Sequence, residues 1–284
     1  MRFLPWLFLI FLLGPGEASE EPDGQLQIRL LEEGWGNASL EDARRVLKSA
    51  GNVLWRAAGK PSLPVIEVSP SGGPIVFFRR GPEGEIRVRL STRDRFWCQY
   101  AYQFAHEMGH ILCSFDSDTG PNDWFEESLC ELASFFTLRQ MAREWREDPP
   151  WQNWREYSSA LDDYCQRLLE KGQLPLGMDL ATWFSNEEQH LRRTPADRQR
   201  NRIVAVALLP LFEESPEIWR AVATLNDGDS SQGESFSLHL GQWLARSEKR
   251  HHRLIRKLAR QFGVSPAWPD PVSSSLRRAE SVGN

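Results

Sequence analysis

Apolar residues recur every three or four positions at Ala43, Val46, Leu47, Ala50, Val53, Leu54 and Ala57, the spacing that lines one face of an amphipathic helix. Ser39-Leu40-Glu41-Asp42 heads this stretch with a capping hydroxyl and an acid three residues on, a helix-start pattern. Gly59 and Pro61 close it. The period then shortens to that of strands. Val65–Val68, Ile75–Phe78 and Ile86–Leu90 are separated by Ser71-Gly72-Gly73-Pro74 and Gly81-Pro82-Glu83-Gly84, and predict a small sheet. In the third run Ile86, Val88 and Leu90 alternate with Arg87 and Arg89, as in a strand with one buried and one wet face. From about Thr92 the helical period returns and predicts helices around 94–113, 123–142, 152–171, 178–192, 199–213, 215–225 and 236–262.

The expected class is therefore α+β: a small N-terminal mixed sheet with a helix, packed on the helix at 94–113, then a mainly helical subdomain. The expected boundaries are 19–118 for the α+β part and 119–264 for the helical part, with 1–18 a leader and 265–284 a disordered tail. Residues 19–27 and Asn226–Gly233 read as loose by composition. No internal repeat is present.

With 284 residues, 40% of them hydrophobic, the chain can bury one large core or two modest ones without covalent staples. Eleven of the twelve tryptophans lie beyond the first segment, which suggests an aromatic core. A formal net charge of -5, with cations interspersed among acids, gives no basic field and argues against nucleic acid as a partner.

Met1–Leu13 is an apolar run behind Arg2, followed by small residues at Gly16 and Ala18. This reads as a signal peptide cleaved near Ala18 and predicts a secreted or periplasmic protein, the alternative being an uncleaved membrane anchor. Ile203–Phe212 is short and contains Pro210, so no stable membrane insertion is expected after cleavage. In an oxidising compartment Cys98, Cys113, Cys130 and Cys165 permit two disulfides in any of three pairings, or remain buried thiols. Asn37-Ala38-Ser39 matches a glycosylation acceptor, relevant in a eukaryotic source.

Chemistry concentrates in His106-Glu107-Met108-Gly109-His110. Residues four apart share a helix face, so both imidazoles can reach one metal ion. Glu107 lies one position round, off the metal but within reach of a water on it, where it can act as general base. A catalytic zinc needs a third protein ligand and an open position. The run Trp124-Phe125-Glu126-Glu127-Ser128-Leu129-Cys130-Glu131 offers Glu127, with Glu131 as a rival. Asp116, six residues after His110, is another rival by resemblance to the metzincin pattern His-Glu-x-x-His-x-x-Gly-x-x-His/Asp, but where that pattern turns at a glycine this chain has Cys113.

Over roughly residues 64–140 the chain resembles the gluzincin clan of zinc peptidases, whose second helix carries an acid ligand in an Asn/Glu-Glu-x-x-x-Asp/Glu context. Glu126-Glu127 occupies the leading pair, and Glu131 falls where the family has an acid that orients a zinc-bound histidine. One helical turn between Glu127 and Glu131 is compatible with that division. Trp124-Phe125 looks like the aromatic lead of the aminopeptidase branch. The resemblance implies a zincin-like fold, one zinc ion on His106, His110 and Glu127, Glu107 as base, and peptide or protein substrates. It departs from the larger members in three ways. Sixteen residues separate His110 from Glu127, fewer than in those members. The element that grips a substrate amino terminus is absent, which leaves endopeptidase activity as the expectation. No tyrosine stands where the family stabilises the oxyanion, although Tyr157, Tyr164 and His190 have suitable chemistry.

Two further expectations concern the neighbourhood. The strand Ile86–Leu90 is expected to edge the cleft and hold an extended peptide through Arg87, Val88 and Arg89, the arginines favouring acidic substrates or forming a solvated face. Cys113 and Cys130 each follow a proposed ligand by three residues, so a disulfide between them would brace the two helices. A non-catalytic binding protein that retains the zinc site is the alternative function.

Overall fold

The computed structural model describes residues 24–70, 72–114, 120–227 and 234–267. The expected leader, Asp116 and most of the expected tail lie outside these residues, as does the larger part of the 226–233 loop.

The expected α+β class is correct. Among the described residues there are four strands: β1 (Ile28–Leu30), β2 (Ile66–Ser69), β3 (Ile75–Val76) and β4 (Ile86–Arg89). Their order is β1-β2-β4-β3, with β1, β2 and β4 parallel and β3 antiparallel to β4. β1 was not among the three expected runs. It is three residues long, yet Leu26, Ile28 and Leu30 do alternate inward.

Alternation sorts the sheet into two faces. Ile28, Leu30, Ile66, Val68, Val76, Ile86, Val88 and Leu90 are buried. Arg29, Glu67, Ile75, Phe77, Arg87 and Arg89 fall on the opposite, wetter face. The buried face packs on α1 (Leu40–Ala57) and α2 (Trp97–Leu112). α1 starts as its sequence dictates, with the Ser39 hydroxyl accepting from the Asp42 N–H at 3.0 Å.

The helical part comprises α3 (Asp123–Glu147), α4 (Tyr157–Glu170), α5 (Leu180–Arg193), α6 (Arg198–Glu214), α7 (Trp219–Val222), α8 (Phe236–Arg246) and α9 (His252–Gln261). α3 runs five residues past its expected end, carried by the buried Trp145. The helix expected over 236–262 is broken. Ser247 is extended (ψ 151°), and its hydroxyl is held by the Trp243 carbonyl at 2.8 Å and by Thr224 Oγ1 at 3.1 Å. Such side-chain to backbone bonding competes with helix continuation. The start of the expected tail is ordered, since the Ala267 N–H donates to the Ser237 carbonyl at 2.9 Å.

One hydrophobic core runs from the sheet into the C-terminal helices. Its densest part is aromatic: Trp124 sits 4.8 Å from Phe236, 5.4 Å from Phe184 and 5.9 Å from Phe262, centroid to centroid. Trp124 and Phe125 are both fully buried. Each such side chain contributes on the order of 1.5–3 kcal/mol by burial, so this cluster pins the first turn of α3, where the acids of interest follow.

Candidate metal centre

α2 and α3 meet at Gly109. A Cβ there would lie 2.9 Å from both the Cα and the Sγ of Cys130, closer than packed atoms tolerate, so only glycine permits this approach of the two helices. The close contact brings the acids at the start of α3 over the histidines near the end of α2.

His106 and His110 stand one turn apart with ring centroids 5.1 Å from each other. His106 Nε2 is 3.5 Å from Glu127 Oε2, and His110 Nε2 is 3.9 Å from Glu127 Oε1. Ligand atoms of His106, His110 and Glu127 all lie within 4.8 Å of one another. Two bonds of about 2.0–2.1 Å at a tetrahedral angle place donor atoms roughly 3.3 Å apart. Two imidazole nitrogens and a carboxylate fit one zinc ion once the donors draw in, by a few tenths of an ångström for the 3.5 Å pair and by up to roughly 1.5 Å for the widest. The side chains are 16–29% exposed, which leaves one side of the centre open. Burial works against the charge of Glu127, but the His106 contact and the charges of His110, His106 and Arg198 together lower its pKa below the usual carboxylate value.

Glu107 lies beside this trio and is only 2% exposed. Burial raises its carboxyl pKa, against the opposing pull of His106 and His110. The Val76 backbone N–H of β3 also reaches this carboxylate.

The acid that holds an imidazole is Glu126. His110 Nδ1 meets Glu126 Oε1 at 2.5 Å, and Asn226 Nδ2 donates to the other oxygen, Glu126 Oε2, at 2.5 Å. This arrangement directs His110 Nε2 toward Glu127. Burial alone would lower the His110 pKa, but the Glu126 bond and the surrounding carboxylates raise it to about 9. Cys130 Sγ also lies near His110 and Glu126, where His110 Nδ1 is already taken by the carboxylate.

Glu131, expected to orient a histidine, is engaged elsewhere. Its Oε2 accepts from the Tyr102 hydroxyl at 2.5 Å and its Oε1 from Arg202 Nε at 2.8 Å. The Arg202 guanidinium also reaches the Tyr102 oxygen at 3.3 Å. Glu131 and Arg202 are buried and Tyr102 half-buried between α2, α3 and α6. The expectation fails because the i,i+4 relation that aligns Glu131 with Glu127 is local, whereas its partner arrives from 71 residues away.

The expected substrate strand also needs correction. β4, which carries Arg87, Val88 and Arg89, is paired on both sides, by β2 and β3. The open edge next to the centre is β3. Phe77 N–H donates to the Arg87 carbonyl, so the alternation of antiparallel pairs turns the backbone N–H and C=O of Val76 away from β4, the N–H toward Glu107.

The Cys113–Cys130 disulfide is not formed. All four cysteines are free and buried, and Cys113 and Cys130 meet as hydrogen-bonded thiols. In so enclosed an interface a thiol packs as a small apolar group. Cys113 has a right-handed φ of -74°, and the left-handed turn out of α2 falls on Ser114 (φ 54°).

Of the residues considered for the oxyanion, Tyr157 OH accepts from Cys98 Sγ at 3.5 Å, Tyr164 packs edge-on against Tyr102, and His190 Nε2 contacts Asp197 at 3.0 Å. None of these contacts is with His106, His110 or Glu127. Glu126, Asn226, Val76 and Arg198 were not anticipated in these roles. Only Glu126 had a visible signal, its place in the acidic pair.

No family model, no curated protein and no solved structure matches the chain.

Proposed function

We propose that this protein is a zinc-dependent endopeptidase of gluzincin type, exported by its leader and acting on peptides or proteins. The observation that carries the reading is the convergence of His106 Nε2, His110 Nε2 and the Glu127 carboxylate beside the buried Glu107. A structural zinc is ordinarily closed by a fourth protein ligand and has no use for a neighbouring base. Zinc held by the three side chains would supply Lewis acidity to a water and to the scissile carbonyl. Glu107 takes the proton of the attacking water on its carboxylate and delivers it to the departing amine. Glu126 holds the His110 ring in place through Nδ1. The outward carbonyl of Val76 accepts from an extended chain beside β3, its N–H being engaged by Glu107. Among the described residues no helix is long and apolar enough to cross a membrane.

The test is metal analysis together with a peptide-library digest of wild type and Glu107→Gln. The expected result is one zinc per chain in both proteins and cleavage by wild type only, the variant losing ~10²–10⁴-fold. Absence of bound zinc, or cleavage undiminished in the variant, overturns the reading. A second reading, a binding protein that retains the zinc site, is favoured by the engagement of Tyr102 and Tyr157 away from the trio. Zinc binding with no cleavage by either protein selects it.

A further inference from the structure

Four arginines gather beside the open edge: Arg79 and Arg80 just past β3, and Arg87 and Arg89 on β4. None of the four has a carboxylate partner among the described residues. Arg29 shows the contrast on the same face, since it is bound by Glu67 at 2.9 Å and Glu83 at 2.8 Å. Glu67 is level with Arg87 in the sheet yet turns to Arg29.

The geometry aims this charge at the edge. Phe77 lies opposite Arg87, by continuation of the Val76–Val88 register. The guanidinium carbons of Arg87 and Arg89 stand 5.3 and 4.6 Å from its ring centroid, so both side chains lean from β4 across Phe77 toward β3. Arg87 Nε is buried without a hydrogen-bond partner. Ile75 and Phe78 are exposed large apolar side chains on the same rim, at 43% and 59%.

We infer that the arginine-lined rim of β3 and β4 binds an acidic segment of the polypeptide substrate, and so makes acid-rich peptides the preferred substrate class. The inference rests on the peptidase reading for cleavage but not for binding. A strand added along β3 directs every second side chain to the wet face. There, carboxylates face Arg87 and Arg89 from two strand spacings away, roughly 10 Å between backbones, a gap that the arginine side chains leaning over Phe77 shorten. Guanidinium offers paired donors that match a carboxylate.

Fluorescence anisotropy with the full-length Glu107→Gln chain, zinc-loaded, tests it with two labelled peptides of equal length, one alternating Glu with apolar residues and one with Gln in place of Glu. The acidic peptide should bind about tenfold more tightly at low salt, as expected for a few partly exposed ion pairs. The preference should collapse toward unity in Arg87→Gln/Arg89→Gln and at about 1 M salt, where screening acts within a few ångströms. Arg87→Lys/Arg89→Lys should restore part of it. Equal affinity for both peptides in the parent overturns the inference, as does a preference that survives the double substitution. A single-stranded oligonucleotide that competes as well as the acidic peptide also overturns it, since the rim would then read charge alone. Because the base is absent, a failure of catalysis leaves this readout intact. If the double variant does not fold, the salt dependence in the parent decides the question.

Discussion

Removing the carboxylate that holds His110 should make zinc affinity depend differently on pH. In Glu126→Gln the contact from His110 Nδ1 to an anionic oxygen at 2.5 Å is lost. Two opposing effects follow. Loss of an outer-shell carboxylate weakens metal binding by roughly 10–100-fold. Against burial, the same carboxylate, with smaller contributions from Glu127 and Glu107, also raises the His110 pKa to about 9 in the metal-free chain, and zinc must displace that proton. Competition at pH 7 therefore weakens wild-type binding by ~100-fold, a factor of ten for each pH unit. With the pKa returned toward about 6.5, competition at pH 7 falls to roughly 1.3-fold. The two effects nearly cancel at pH 7, and wild type and variant should bind zinc within a few-fold of each other. At pH 9 wild-type competition is only about twofold, so the variant should be weaker by ~5–50-fold. Chelator-buffered zinc titrations from pH 6.5 to 9 measure both constants. A ratio of dissociation constants that stays level across that range would refute the reasoning, whether the level is high or low.

Three other outcomes are expected. Gly109→Ala places a Cβ 2.9 Å from Cys130 atoms and should lower stability by about 1–3 kcal/mol. Zinc affinity should fall with it, measured by denaturant melts with and without metal; an unchanged affinity argues against helix spacing as the determinant. Arg202→Met leaves the Glu131 carboxylate buried beside Tyr102 and should destabilise by ~3–5 kcal/mol, whereas Glu131→Gln should leave zinc affinity within a few-fold. A tenfold loss of zinc in Glu131→Gln would return that residue to the histidines. The buried thiols should resist iodoacetamide at pH 8 in the native chain, burial having pushed Cys165 up to about 12 and Cys130 well above its ordinary value. All four should alkylate in guanidinium without reductant. Fewer than four modified cysteines, by intact mass, indicates a bridge.

What could be read from sequence was what short range decides. The Ser39 cap, the period of α1 and the shared face of His106 and His110 each depend on residues within two turns of helix. Glu127 was within reach because the acidic pair follows the aromatic lead, and burial of Trp124 and Phe125 fixes how that pair is presented. Contacts set by distant partners were not legible. Asn226 reaches Glu126 from 100 residues away, out of a stretch whose composition suggests only a loop. The edge role passed from β4 to β3 because strand order belongs to the assembled sheet: the run Ile75–Phe78 was legible as a strand, its place at the edge was not. Likewise, Ser247 ends α8 through Thr224, a residue whose proximity the helical period does not encode.

The brevity of β3 also bears on solubility. An exposed strand edge invites pairing with any extended chain, including another copy of the same protein. Here the edge offers only Ile75 and Val76, with Pro74 before it and Phe78, Arg79 and Arg80 after it. A proline has no N–H to continue a ladder, and unpaired arginines repel the same arginines on an approaching copy. The edge is long enough to seat one short segment of a guest chain, while its flanks keep two folded copies from zipping together along it.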